Sequence, residues 1–335
     1  MINDFIHFKK TFIIAEIGVN HEGNISLAKE MIQLAKESGA DAVKFQTYLK
    51  DEYIAINQKE RFDRAQRFCL NFDQFRELAE YAKKHQIIFF STPLDITSID
   101  FLDELSPLFK ISSGDLTNDP LIEKAATKKK PLILSTGLAS ENEIVHALSL
   151  VKKVSKELIS TGKLMLMHCV SSYPTPVEEA NLKAIHFLKK RFKLPVGYSD
   201  HTLGIKACEI ASALGAIAVE KHFTYKKEGQ IFHDHQLSAD PCDFKQLVTN
   251  IREIEKLLGK EAKGLLSCED KFAVNMRRSL GTRVFLKQGA TIKKEDLILL
   301  RPALGVLPKD IKLILGKKIK RDIQKGELIF YEDLC

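Results

Sequence analysis

From residue 11 to about 258, short β-branched or apolar runs alternate with stretches whose apolar residues recur at helical spacing. The runs Thr11 to Ile17, Ala42 to Thr47, Ile87 to Ser91, Phe109 to Ser112, Leu132 to Ser135, Met165 to Cys169, Val196 to Ser199 and Ala216 to Lys221 read as strands. Leu27 to Ser38, Phe72 to His85, Ser98 to Leu105, Asn142 to Val154, Leu182 to Phe192 and Asp243 to Leu258 are among the helical stretches between and after them. Repeated strand-helix units with right-handed crossovers predict a closed parallel (β/α)8 barrel more than an open doubly wound sheet. Residues 259–278 are charged and lack an apolar period, which predicts a linker or extended arm. Residues 279–335 change texture to short alternating strands and turns, a small β-rich domain with little core of its own. An internal echo runs through it: Lys287-Gln288-Gly289-Ala290-Thr291-Ile292 before Glu295-Asp296-Leu297 matches Lys325-Gly326-Glu327-Leu328-Ile329 before Glu332-Asp333-Leu334. Each copy reads as a turn glycine, a strand and a short Asp-capped turn.

Many barrel strands end in polar residues, and in such a barrel the carboxyl ends of the strands build the active site. The stretch from Gly197 to Phe223 is the most informative. Its strand, helix and strand put His201 and His222 at the same edge of two neighbouring parallel strands, with Ala207, Ile210, Ala211 and Leu214 on one side of the helix. One strand-end histidine reads as a capping or hydrogen-bonded group. Two at matching positions point to a shared function, metal ligation first. Lys44 and Lys110 point over a mostly apolar barrel, where an unpaired ammonium is costly and an anionic partner is needed. With Thr92, Ser112, Ser113, Ser135, Thr136, Ser171 and Ser199 they suit a cradle for a phosphate and a carboxylate, while a single activated lysine would suit Schiff-base chemistry. Some of these hydroxyls will only satisfy strand-end backbone groups. Glu16 reads as a third ligand, a general base, a hydroxyl-orienting acceptor or the counter-ion to Lys44. The loop His233-Asp234-His235 suits either a separate metal site or hydrogen bonding to a polyhydroxylated substrate.

Composition narrows the class without naming it. The 335 residues are 44% hydrophobic and 28% charged, ordinary for a soluble globular protein. The net charge of +7 is compatible with a phosphate-bearing substrate, but no basic helix or aromatic-basic motif suggests nucleic acid. The six cysteines show no paired spacing and several lie in apolar segments, which fits reduced thiols. No basic region precedes a long apolar core at the N-terminus and no window approaches a membrane span, so a cytoplasmic location is expected.

The assembled motifs resemble the sialic acid synthase family, enzymes that condense phosphoenolpyruvate with an amino sugar. The matching pieces are Ile14-Ala15-Glu16-Ile17-Gly18-Val19-Asn20-His21, Ala42-Val43-Lys44-Phe45-Gln46, Ser91-Thr92-Pro93, Phe109-Lys110-Ile111-Ser112-Ser113-Gly114-Asp115, Leu134-Ser135-Thr136-Gly137, Tyr173-Pro174-Thr175-Pro176, Gly197 through Thr202 and Glu220 through Thr224. They follow the family's order across the barrel. Arg277-Arg278-Ser279-Leu280, Arg301-Pro302 and Leu315-Gly316-Lys317-Lys318 resemble its antifreeze-like or SAF domain.

The resemblance implies a barrel over 1–258, a linker over 259–278 and a SAF domain over 279–335, in a domain-swapped homodimer. It implies manganese or magnesium on His201 and His222, and phosphoenolpyruvate held by Lys44, Thr92, Lys110, Ser112, Ser135, Ser171 and Ser199. Glu16, Gln46, Tyr173 and Asp234 would handle the sugar and water, with Arg301 reaching in from the other subunit. The chain departs from the common pattern at Asp115, at Ser171 and in the loop from Phe232 to Asp240, all assigned to the sugar side. The resemblance therefore leaves the aldose open among N-acetylmannosamine, its phosphate and a trideoxy diacetamido hexose. The competing readings are a lysine Schiff-base pyruvate aldolase and a non-catalytic carbohydrate- or ice-binding protein.

Overall fold

The computed structural model describes residues 3–335 apart from 231 and 233. The chain divides into two compact units, Met1–Gly259 and Lys260–Cys335.

The first unit contains eight parallel strands: β1 (Phe12–Gly18), β2 (Ala42–Thr47), β3 (Ile88–Pro93), β4 (Phe109–Ile111), β5 (Leu132–Ser135), β6 (Leu164–Cys169), β7 (Val196–Asp200) and β8 (Ala218–His222). They are hydrogen-bonded in the order β3-β2-β1-β8-β7-β6-β5-β4, and β3 and β4 lie beside each other to complete the ring. Helix starts follow from the sequence. Asn71 and Ser140 form reciprocal caps with Gln74 and Glu143, and Asp240 accepts from the backbone NH of Asp243 just before Pro241.

The pleat sorts each strand into two sets. Ile13, Ala15, Val43, Phe45, Leu132 and Leu134 belong to the large core between strands and helices. Ile14, Phe12, Ala42, Phe90, Ile133, Met165, Met167 and Ala218 fill the barrel, and Phe5 joins them from the N-terminal segment. Gly197 belongs to this crowded interior, because a Cβ there would sit 3.0 Å from the Ala218 carbonyl oxygen and 3.1 Å from Met167 Cε. Above these apolar layers, the next inward positions of the strands are polar.

Some local expectations need correction. In the helix Lys206–Ala213, Cys208, Ala211 and Ser212 are buried while Ile210 is exposed, because the short helix presents only a narrow face to its neighbours. The helix Lys59–Phe68 has no counterpart in the apolar pattern, since only Ala65 and Phe68 of its ten residues are buried. His168 turns away from the barrel interior: its Nε2 lies 2.9 Å from the Ala180 carbonyl and its ring stacks on Tyr198.

In the second unit, β9 (Ser279–Thr282) pairs antiparallel with β10 (Leu297–Leu300), and isolated bridges join Leu286 to Ile323 and Ile319 to Leu334. Ten buried side chains, Leu280 and Ile329 among them, give this unit a core of its own, larger than its texture suggested. The echo is structural as well: Gly289 and Gly326 both have positive φ, and Asp296 and Asp333 each accept from the backbone NH three residues earlier. Within the segment expected as a linker, Asp270–Met276 forms a helix.

Candidate active site

Because β1 and β2 are in register at Glu16 and Lys44, and β1 and β8 at Glu16 and His222, these three side chains meet at the carboxyl end of the barrel. Glu16 Oε2 lies 2.7 Å from Lys44 Nζ, Lys110 Nζ lies 2.5 Å from Glu220 Oε1, and Lys44 Nζ lies 3.6 Å from the same oxygen. Ser199 donates to Glu220 Oε1 at 3.0 Å, Lys44 to Thr92 Oγ1 at 3.3 Å and Gln46 Nε2 to Glu16 Oε1 at 3.3 Å. All four charged groups are buried, so the costly ammonium ions have carboxylates as partners. Burial pushes Glu16 up to about 7, with Lys44 opposing and Glu220 adding to the rise. Burial acts on Glu220 too, but Lys110 and Lys44 outweigh it and hold that carboxylate below its ordinary range. Burial likewise pulls Lys110 down.

His201 follows β7 and His222 ends β8, with ring centroids 5.4 Å apart. Tyr173 lies over both, 4.0 Å from the first ring and 6.1 Å from the second. His201 Nδ1 donates to the Val170 carbonyl at 2.7 Å; burial pulls this imidazole down, but Cys169 and that carbonyl outweigh it and hold it above its ordinary range. The buried Nδ1 of His222 has no hydrogen-bond partner among the described residues. Burial, with His201 and the nearby lysines adding to it, holds His222 well below the usual imidazole range and therefore neutral, as a ligand must be. No cluster of three His, Cys, Asp or Glu suited to a metal occurs among the described residues. Two imidazoles side by side have the chemistry of divalent-cation ligands, which would leave the other positions to water or substrate.

Two adjoining chambers open here. One, of about 340 Å³, is lined by Glu16, Lys44, Gln46, Thr92, Lys110, Ser112, Ser135, Ser171, Tyr173, Ser199, His201 and His222. The other, of about 360 Å³, shares Gln46, Tyr173 and His222 and adds Asp234, Arg61, Arg64 and Phe232. Both volumes suit small molecules. Gly137 lies against the first: a Cβ there would come within 2.5 Å of Ser171 Oγ and 2.8 Å of Ser113 Oγ.

Among the residues expected to line the site, Asp115 does not line either chamber; it accepts from Ser112 Oγ at 2.5 Å, so it steers a hydroxyl that does. His235 faces Thr224 Oγ1 at 2.7 Å and Glu22 at 3.3 Å, a local tie of its loop. His233 lies outside the described residues. Arg301 is exposed in the second unit, after β10 and before Pro302. Sequence reasoning missed Glu220 and Cys169 as lining residues. The signal was the two-residue period: Glu220 shares a strand face with His222, and Cys169, 3.6 Å from His201 Nδ1, shares one with Met167.

An (α/β)8 barrel with buried lysines, hydroxyls and paired histidines at its mouth, followed by a small β-rich unit, is an architecture shared with known proteins. The NeuB family model matches residues 31–263 and the SAF domain model residues 277–334. The chain belongs to the NeuB family, that of the sialic, legionaminic and pseudaminic acid synthases. It is 42% identical to the N,N'-diacetyllegionaminic acid synthase of Legionella pneumophila, over 96% of this chain and 94% of that one. It is 34% identical to the N-acetylneuraminate-9-phosphate synthase of Homo sapiens, over 96% and 92%. The crystal structure of the N-acetylneuraminic acid synthetase of Leptospira borgpetersenii, in complex with citrate, superimposes with a TM-score of 0.73 at 38% identity, covering 78% of this chain and 90% of that one. No helix among the described residues is long and apolar enough to cross a membrane.

Proposed function

We propose that the protein is a metal-dependent transferase that condenses phosphoenolpyruvate with the open-chain aldehyde of an N-acetylated amino hexose. Water is consumed, and the products are a nine-carbon 2-keto acid and inorganic phosphate. The observation that carries the reading is the adjacency of two chambers, one an anion cradle of buried lysines and serine hydroxyls, the other opening beside the same histidine.

In this reading Lys44, Lys110, Thr92, Ser112, Ser135, Ser171 and Ser199 hold the phosphate and carboxylate of phosphoenolpyruvate, with Asp115 steering Ser112. Gln46, Tyr173 and Asp234 face the sugar from the second chamber. His201 and His222 would hold a manganese or magnesium ion, which when bound would supply Lewis acidity for the aldehyde oxygen. Carbon 3 of phosphoenolpyruvate forms the new bond to the aldehyde carbon, water adds at carbon 2, and the carbon-oxygen bond to phosphate breaks. The lysine ammonium groups balance the phosphate and carboxylate charge throughout. Glu16, poised by burial near neutrality, orients the water or takes its proton. Arg301 enters from the partner subunit of a swapped dimer.

Similarity to the acid synthases favours this reading over Schiff-base chemistry, for which Lys110, pulled down by burial, is the candidate amine and Lys44, paired with Glu16, is not. The test is a mass-spectrometric product assay with phosphoenolpyruvate against N-acetylmannosamine, its 6-phosphate and trideoxy diacetamido hexoses. Expected is metal-dependent phosphate release only when an aldose is present. A borohydride-trapped adduct on Lys44 or Lys110 during turnover would overturn it.

A further inference from the structure

We propose that Lys221 and Asp200, which touch neither chamber, are positioning residues that set the spacing of His201 and His222 and thereby the affinity for the divalent cation; the inference rests on the metal reading above. Asp200 and Lys221 pair in register on β7 and β8, one residue before each histidine. The pleat sends the histidines into the barrel and this pair to the outer side, where Asp200 is 0% and Lys221 1% exposed.

The contacts grip the metal-facing segment from both flanks. Lys221 Nζ lies 2.8 Å from Asp200 Oδ2 and donates to the Thr202 carbonyl at 2.5 Å. Asp200 Oδ1 accepts from the Thr202 backbone NH and from Tyr198 OH, each at 2.9 Å. One ammonium therefore holds the residues before and after His201 while its own chain neighbour is His222. A buried ion pair is weak evidence for stability, since an apolar pair of similar volume packs as well. What it adds is register, because a shift of β8 along β7 would strand both charges. The 5.4 Å separation of the imidazole rings is thus tied to the pair behind them.

Manganese binding to the full-length protein, followed by the loss of the free-ion electron paramagnetic resonance signal, tests this without turnover. Asp200→Asn is expected to raise the Kd for Mn(II) at least about tenfold, the usual scale for groups that orient metal ligands. The neutral double variant Asp200→Asn with Lys221→Met leaves no uncompensated buried charge and is expected to do the same while remaining folded by circular dichroism. A folded variant of either kind that binds Mn(II) within about twofold of the parent, whatever its melting temperature, overturns the proposal. The parent protein and His222→Ala are titrated alongside. Equal affinity in those two would defeat the metal reading itself, and the inference with it, and is a different result from a failure of the pair alone.

Discussion

Replacing Glu220 by glutamine keeps its shape and removes its charge, and the consequence can be worked from the ion pairs. Lys44 retains Glu16 at 2.7 Å, but Lys110, 4% exposed, loses the carboxylate 2.5 Å away. Breaking one partner of a buried pair costs about 3–5 kcal/mol. An independent bound agrees: holding a lysine neutral at pH 7.5 against an ordinary value near 10.4 costs at most about 4 kcal/mol. At roughly 2 °C per kcal/mol for a unit of this size, Glu220→Gln should melt about 6–10 °C lower in differential scanning calorimetry. With Lys110 depressed further in the folded state, the unfolded chain binds more protons than the native one below the ordinary lysine range. The deficit should therefore shrink as pH rises toward 10. Phosphoenolpyruvate, a polyanion, should raise the melting temperature of the variant more than that of the parent by returning the missing charge. An unchanged melting temperature without ligand, or a deficit that grows with pH, would refute the reasoning.

Further outcomes follow from the same geometry. Gly137→Ala, whose methyl would press on Ser171 and Ser113 Oγ, should raise the KM for phosphoenolpyruvate about tenfold or more while leaving the melting temperature within a few degrees, as steady-state kinetics and calorimetry would show. If Glu16 works ionised, kcat/KM for the aldose should fall as pH drops through about 7, and Glu16→Gln should abolish that limb; an identical pH profile in the variant would remove the role. Mixing Arg301→Ala chains with Lys44→Ala chains should restore part of the activity in verified heterodimers if one site draws on both subunits, and no rescue would count against the swapped arrangement.

Much of the barrel was legible because each strand carries a local signal. All eight strands match their apolar runs to within two residues at each end, since a parallel strand buried on both faces must be apolar along its length. His201 and His222 were legible for a related reason: strand, short helix and strand fix their separation with little freedom. The helix Lys59–Phe68 was not legible, because a charged segment with two buried residues has no periodicity to read. Asp115 illustrates another limit. Its spacing from Ser112 is sequence-local, yet whether it faces substrate or a serine depends on the turn between them.

The sequence by itself determined the alternation, the strand positions and the set of polar groups brought to the carboxyl ends, because hydrophobic period and chain connectivity are local properties. Only the tertiary structure decided the pairing of charges. Glu220 lies 110 residues from Lys110 in the chain; the two-residue period puts it on the face of His222 and Lys221 on the opposite one, where it pairs with Asp200, but the period does not say which ammonium Glu220 meets. Which carboxylate meets which ammonium is set by the strand register around the closed ring. In a buried site charges are screened little by solvent, so the register that sets their separations fixes the protonation states on which the chemistry depends.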